Sequence, residues 1–279
     1  MECRQETGAE GAVQGQDIPL SSQTNGRKAR VYAPEMVPLS LSDYRGEPTC
    51  VIFFSGCNYD CGYCQNWALR EKKEEHLVEL ASLKEKIRNN NLITACKVSG
   101  GEPLLQPEAL MELGTFAKSL GLKFAIDTNG TLPKGLGRII GLLDLVSLDI
   151  KTALNQEEYR KISGVGRTCV EEVKESLRLI LSSNAYADLR MVVIPGLNDG
   201  EAVAASIAAS LRGAGYVEKA LRGEASLTFV EFVPDHARLE ELRRISNTPV
   251  ETLKRLASLV KLPEVHISHR VLGSYVPAD

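Results

Sequence analysis

Short apolar runs of strand type alternate with helical stripes along most of this chain, and that alternation restricts the fold more than any other feature. Strand-forming residues mark residues 49–54, 95–98, 122–126, 142–150, 189–194 and 226–233, with a last short run at 265–268. Apolar residues at helical spacing, or helix start and stop signals, mark residues 77–90, 107–120, 169–182, 199–213 and 248–260. This order predicts βαβ units around a parallel sheet. About six units in about 230 residues are too few for a closed eight-stranded barrel of usual length. The expected fold class is therefore α/β, a partial (β/α)6 barrel open on one side. Residues 1–29, rich in Gly, Gln, Ser and charge, read as a disordered extension. Residues 30–279 read as one domain with its core at about 49–240.

In parallel α/β architectures, functional residues gather at the C-terminal ends of strands. The first strand here runs into Cys57-Asn58-Tyr59-Asp60-Cys61-Gly62-Tyr63-Cys64. A loop this short can turn three thiolates toward one point, and soft thiolates suit iron–sulfur clusters, zinc or copper(I). A closed zinc site and an ordinary cubane cluster each take four ligands. The nearest other cysteine, Cys50, sits in an apolar run and reads as core, as does Cys96. Three ligands on a four-iron cluster leave one iron open to a non-protein molecule, which is a catalytic arrangement. A zinc knuckle with a distant fourth ligand, or a redox thiol set, stays open on spacing alone.

The other strands end in polar motifs too. Gly100-Gly101-Glu102-Pro103 follows the second, and its glycines permit close backbone approach. Asp127-Thr128-Asn129 follows the third, Asp149 and Lys151 close the fourth, Arg190 with Pro195-Gly196 marks the fifth, and His236 follows the sixth. Carboxylates and a lysine at such a rim need partners or a ligand to offset desolvation. Helix caps and a salt bridge would serve for Asp127, Asp149 and Lys151, and a solvated loop for His236.

The cysteine spacing, with the aromatic Tyr63 before the third cysteine, resembles the radical S-adenosylmethionine (SAM) superfamily, whose motif this is. The resemblance implies one 4Fe-4S cluster on Cys57, Cys61 and Cys64. Its open iron would chelate SAM and supply the electron that cleaves SAM to a 5′-deoxyadenosyl radical. Gly100, Gly101 and Glu102 match the superfamily's Gly-Gly-Glu-Pro motif, which holds the SAM amino group. The ordered set Asp127-Thr128, Asp149 with Lys151, Arg190 and His236 resembles the glycyl-radical activating branch, as does the lead-in over residues 37–46, where Arg45 stands in place of a common proline. In that branch the matching aspartates and threonine form a monovalent-cation site, and the lysine, arginine and histidine approach SAM. Ser147 stands where a methionine carbonyl contributes to that cation site, and a carbonyl survives the change.

The resemblance further implies a glycyl-radical enzyme as partner and a flavodoxin- or ferredoxin-type electron donor. No second cysteine group follows residue 64, so a ferredoxin-like insert is not expected. Two other readings compete: a radical SAM enzyme acting on a small molecule, peptide or RNA base, and a non-catalytic metal-binding interaction module. Composition narrows the setting. A net charge of −3 gives no electrostatic case for nonspecific nucleic-acid binding. No apolar run is long enough to span a membrane, no signal-peptide core is evident, and clustered cysteines suit a reducing compartment, so a cytoplasmic location is expected.

Overall fold

The computed structural model describes residues 29–166 and 169–277, so nearly all of the expected N-terminal extension lies outside the described residues. In chain order the strands are β1 (Arg30–Tyr32), β2 (Glu35–Ser40), β3 (Thr49–Phe54), β4 (Leu77–Glu79), β5 (Ala95–Gly100) and β6 (Lys123–Thr128). They continue with β7 (Leu145–Asp149), β8 (Tyr186–Val193), β9 (Ala225–Glu231), β10 (Val265–His269) and β11 (Gly273–Tyr275). The helices are α1 (Leu80–Arg88), α2 (Pro107–Ser119), α3 (Pro133–Ile139), α4 (Gln156–Ser163), α5 (Val170–Ser182), α6 (Glu201–Gly213), α7 (Tyr216–Leu221), α8 (Glu240–Arg243) and α9 (Val250–Val260).

A nine-stranded sheet takes the order β2-β3-β5-β6-β7-β8-β9-β10-β11, which is chain order throughout. Strand β3 and strands β5 to β10 pair in parallel, while β2 and β11 add antiparallel edges. Neither edge pairs with the other, so the sheet stays open, as expected for a partial barrel. The short run at 265–268 is a seventh parallel strand, one beyond the six that carry the motifs.

Alternation along each strand divides its side chains between two environments. Cys96 and Val98, Phe124 and Ile126, Val146 and Leu148, and Leu189 and Met191 join one apolar core with helix residues such as Leu110, Leu113, Val173, Leu177 and Leu253. Residues of the other parity turn inward. At one end Ala95, Ala125 and Leu145 pack with Tyr44, which the turn after β2 carries into the barrel as a plug. Beyond that plug the inward positions become polar. Lys97, Asp127, Ser147 and Asp188 therefore stand behind an apolar floor and below the strand ends.

Two expectations need correction. The helix expected over residues 77–90 is divided: Leu77–Glu79 pairs antiparallel with Arg30–Tyr32, and the helix begins at Leu80. Leu80, Leu83 and Ile87 keep the buried stripe, but Leu77 spends its backbone on the ribbon. Helices α3, α4, α7 and α8 are additional to those expected. Each has eight residues or fewer, too short for a stripe to repeat.

Leu189 lies fully buried on β8, between the paired strands β7 and β9. Leu189→Ala should cost about 2–5 kcal/mol through lost burial and a residual cavity. Denaturant melts of the two proteins measure this directly.

Candidate functional site

β3 delivers the chain to the cysteine loop, and hydrogen bonds close the base of that loop. Gly56 N donates to Leu69 O at 2.7 Å and Cys57 N to Arg70 O at 2.8 Å. Cys64 N reaches back to Cys61 O at 3.2 Å. The far side is clamped by later segments. Asp60 N donates to Ser163 O at the end of α4, and Leu239 N donates to Gly62 O, both at 2.9 Å. Asp60 Oδ1 sits 2.9 Å from Arg70 and 3.1 Å from Arg238.

The Gly100-Gly101 turn lies against the start of the same loop. Gly101 N donates to Phe54 O at 2.8 Å, and Glu102 N to Gly56 O at 2.7 Å. A Cβ on Gly100 would fall 2.2 Å from Phe54 O, and one on Gly101 would fall 2.1 Å from Gly56 O. Gly100 also has φ +109°, which L side chains rarely adopt. Only glycines let these two backbones meet.

A cavity of about 560 Å³ opens where these segments converge. Cys57, Cys61, Cys64, Tyr63, Gly100, Gly101, Asp127, Thr128, Asp149, Lys151 and Arg190 all line it. Glu102 does not. It is fully buried behind the turn, where its carboxylate accepts from Thr128 Oγ1 (2.9 Å), Asn129 N (2.7 Å) and Leu104 N (3.1 Å). His236 does not line it either: it ends a short 3-10 turn, Pro234–His236, and is exposed. Arg238, two residues on, reaches the cavity wall in its place.

The cysteines are thiols in a setting that resists ionisation. Burial pushes Cys57 up to about 12 and raises Cys61 and Cys64 as well. Thiolates form in such surroundings when a metal or another cation takes up the charge. Among the described residues, no group of three or more His, Cys, Asp or Glu is arranged around a single ion. Lys151 is buried beside the loop, with its Nζ 3.1 Å from Tyr63 Oη and 3.4 Å from Asp149. Its ammonium also lies 5.9 and 5.6 Å from the Tyr59 and Tyr63 ring centres.

Below the strand ends lies a chain of ion pairs. Lys97 Nζ sits 2.6 Å from Asp127 Oδ1 and donates to Ser147 Oγ at 3.0 Å. Ser147 Oγ donates to Asp188 Oδ2 at 2.9 Å, and the Arg190 Nη2 reaches the same oxygen at 2.6 Å. Burial would push Asp127 up, but Lys97 and Arg190 outweigh it and hold the carboxyl below its usual range. Three features escaped the sequence reading: Lys97, Arg238, and the Asn58–Asn129–Thr131 side-chain network at the rim, where Asn129 Nδ2 donates to Asn58 Oδ1 at 2.9 Å. A charged residue at 97 inside an otherwise apolar strand was the one legible signal among them.

The profile of the Radical SAM superfamily matches residues 51–206. The chain is 31% identical over 193 residues to the pyruvate formate-lyase-activating enzyme of Clostridium pasteurianum, covering 67% of this chain and 74% of that one. A Methanocaldococcus jannaschii protein, provisionally named as a glycyl-radical enzyme activating enzyme, is 26% identical over 231 residues, 81% of this chain and 90% of its own length. Among solved structures, TYW1 with a lysine–pyruvate adduct bound superposes with a TM-score of 0.51 at 18% identity, covering 76% of this chain and 72% of that one. That likeness is one of fold.

Burial raises the Glu102 carboxyl to about 7, against the three donated hydrogen bonds that pull it down. A carboxyl raised on folding contributes stability that is whole below its unfolded value near 4.5 and lost as pH climbs through about 7. Melts at pH 5 and pH 8 should show the advantage of the native protein over Glu102→Gln shrinking with pH, by on the order of 3 kcal/mol.

Proposed function

The chain belongs to the radical SAM superfamily, and from that premise we propose that it generates a 5′-deoxyadenosyl radical and uses it to take hydrogen from a glycine of a partner protein. The superfamily implies a 4Fe-4S cluster and SAM. The residues present fit both groups. Three free thiols line one cavity, and a cubane presents separate irons to separate cysteines, which agrees with a set not gathered around one ion. The Gly100-Gly101 turn leaves open the space that side chains would fill.

On this reading Cys57, Cys61 and Cys64 hold the cluster, and Tyr63 packs beside it. Bound there, cluster and SAM together supply the electron transfer and the primary alkyl radical. The protein's own groups hold SAM in place. Gly100 and Gly101 present backbone to its amino group, and Asn66 steadies that turn by donating to Gly100 O at 3.4 Å. Glu102 braces the turn from behind through Thr128 and Asn129, so its role is positioning. Lys151 and Arg190 supply the cations nearest a SAM carboxylate, and Arg238 replaces His236 among the basic groups of the wall. A primary alkyl radical takes hydrogen from many carbons, so selectivity rests on fixing one C–H bond beside it and excluding other donors.

The observation that carries the glycine reading is the open flank. Strands β2 and β11 end the sheet without pairing to each other, so among the described residues no strand ladder seals that side against an extended partner loop. The similarity to activating enzymes supports the same conclusion. A flavodoxin- or ferredoxin-type protein would supply the electron.

Anaerobic incubation of the reduced, cluster-loaded protein with SAM and a glycyl-radical enzyme should give a glycyl doublet by electron paramagnetic resonance. The doublet should change when the partner's glycine is deuterated. Deoxyadenosine release without a partner radical, but with turnover of an added small molecule or RNA, would move the assignment to a different substrate. Separately, alanine at Cys57, Cys61 or Cys64 should abolish SAM cleavage and the cluster's visible spectrum. Cys50→Ala and Cys96→Ala should leave four irons bound, as measured by iron and sulfide analysis.

A further inference from the structure

Lys97 is among the most deeply buried side chains of the described protein, yet it carries a charge into the barrel. Its ammonium has three oxygen neighbours: Asp127 Oδ1 at 2.6 Å, the Asp43 carbonyl at 2.9 Å and Ser147 Oγ at 3.0 Å. Register explains how it gets there. Lys97 lies opposite Ala125 on β6, so a small neighbour leaves room for the long stem to lean toward Asp127, two residues further along that strand.

The resemblance set out above implies a monovalent cation held by Asp127, Thr128 and Asp149. The structure does not fit one. The Asp127 oxygen is already in contact with Lys97. Thr128 Oγ1 donates to Glu102 and accepts from Gly130 N. Asp149 lies 3.4 Å from Lys151, and the neighbouring Asp188 is taken by Arg190. These three carboxylates each face a protein cation, and a metal ion at Asp127 would meet the Lys97 ammonium across one shared oxygen. Like charges at that range in a low-dielectric interior repel strongly.

We propose that Lys97 is a built-in counter-cation of the SAM pocket: its ammonium neutralises Asp127 in place of a bound sodium or potassium ion, so SAM binding requires neither. The inference rests on the reading that this cavity binds SAM. Its chemical logic is simple. Asp127 lines the cavity, and an uncompensated carboxylate there would oppose the carboxylate of SAM. Lys97 reaches Asp127 from the side away from the cavity, since it does not line it, and so removes that opposition without occupying ligand space. A tethered cation also escapes the entropy of capturing an ion from solution and cannot be lost by dilution.

The test is SAM binding to the cluster-loaded protein under anaerobic equilibrium dialysis, at constant ionic strength in potassium, sodium or tetramethylammonium chloride. Tetramethylammonium is too bulky to coordinate a buried carboxylate. The native protein should show a SAM Kd that changes less than twofold among the three salts. Lys97→Thr, which removes the charge and leaves space, should bind SAM at least tenfold more weakly in tetramethylammonium and recover in potassium or sodium. Thallium-205 resonance of the protein without SAM should show a bound ion in the variant alone. A tenfold loss by the native protein in tetramethylammonium overturns the proposal, and so does a variant whose affinity is native-like in every salt. Where the variant fails to fold, the native salt series decides. Absence of SAM binding in all three salts overturns instead the SAM reading on which this inference stands.

Discussion

The contact between the Gly100-Gly101 turn and the end of β3 is the constraint on which the site depends. Two backbones meet there with no side chain between them, and the turn donates two hydrogen bonds across the contact, from Gly101 N to Phe54 O and from Glu102 N to Gly56 O. That contact sets the distance between the thiol loop and the cradle beside it. Any other residue at 100 or 101 would force the segments apart, because the atoms in the way are backbone oxygens that cannot rotate aside. Glu102 then fixes the turn to the next strand by accepting from Thr128 and Asn129. Precision at the site thus comes from main chain and one buried carboxyl, with other side chains left to line the space.

The ion pairs beneath the cavity follow a different logic. Isolated charges on the inward face would be too costly to bury, and pairing them brings them near break-even at best. Such pairs are weak evidence of stability. What they provide is a fixed electrostatic floor, with positions set by strand register: Asp127 opposite Ser147, Ser147 opposite Asp188, and Asp149 opposite Arg190. Because neighbours across a parallel sheet cannot slide without turning every side chain over, that pattern of charge is as rigid as the sheet.

Much of this architecture was legible in the sequence. The first parallel strand matches its expected limits, and the others differ from expectation by a few residues, because runs buried on both faces stand out from their polar ends. The strand-end rule brought the three cysteines, both glycines, Asp127, Thr128, Asp149, Lys151 and Arg190 to one cavity. It failed for Glu102 and His236, since motif membership says nothing of which way a side chain turns. Lys97 escaped notice because its partners come from three segments far apart in the chain, and only the folded register assembles them. The short helices carried too few turns for a period, and the β1–β4 ribbon joins segments more than forty residues apart.

The clamp on the cysteine loop has a consequence for how the protein is made. The loop is synthesised early, together with the β3 strand that leads into it. Ser163, which holds Asp60, comes a hundred residues later, and Arg238 and Leu239 come later still. On a growing chain the loop has only its own local bonds to Leu69 and Arg70. Its thiols are thus made long before the groups that fix their geometry, so the finished loop exists only once the chain has been made through residue 239. Until then the geometry of the loop rests on short-range contacts alone.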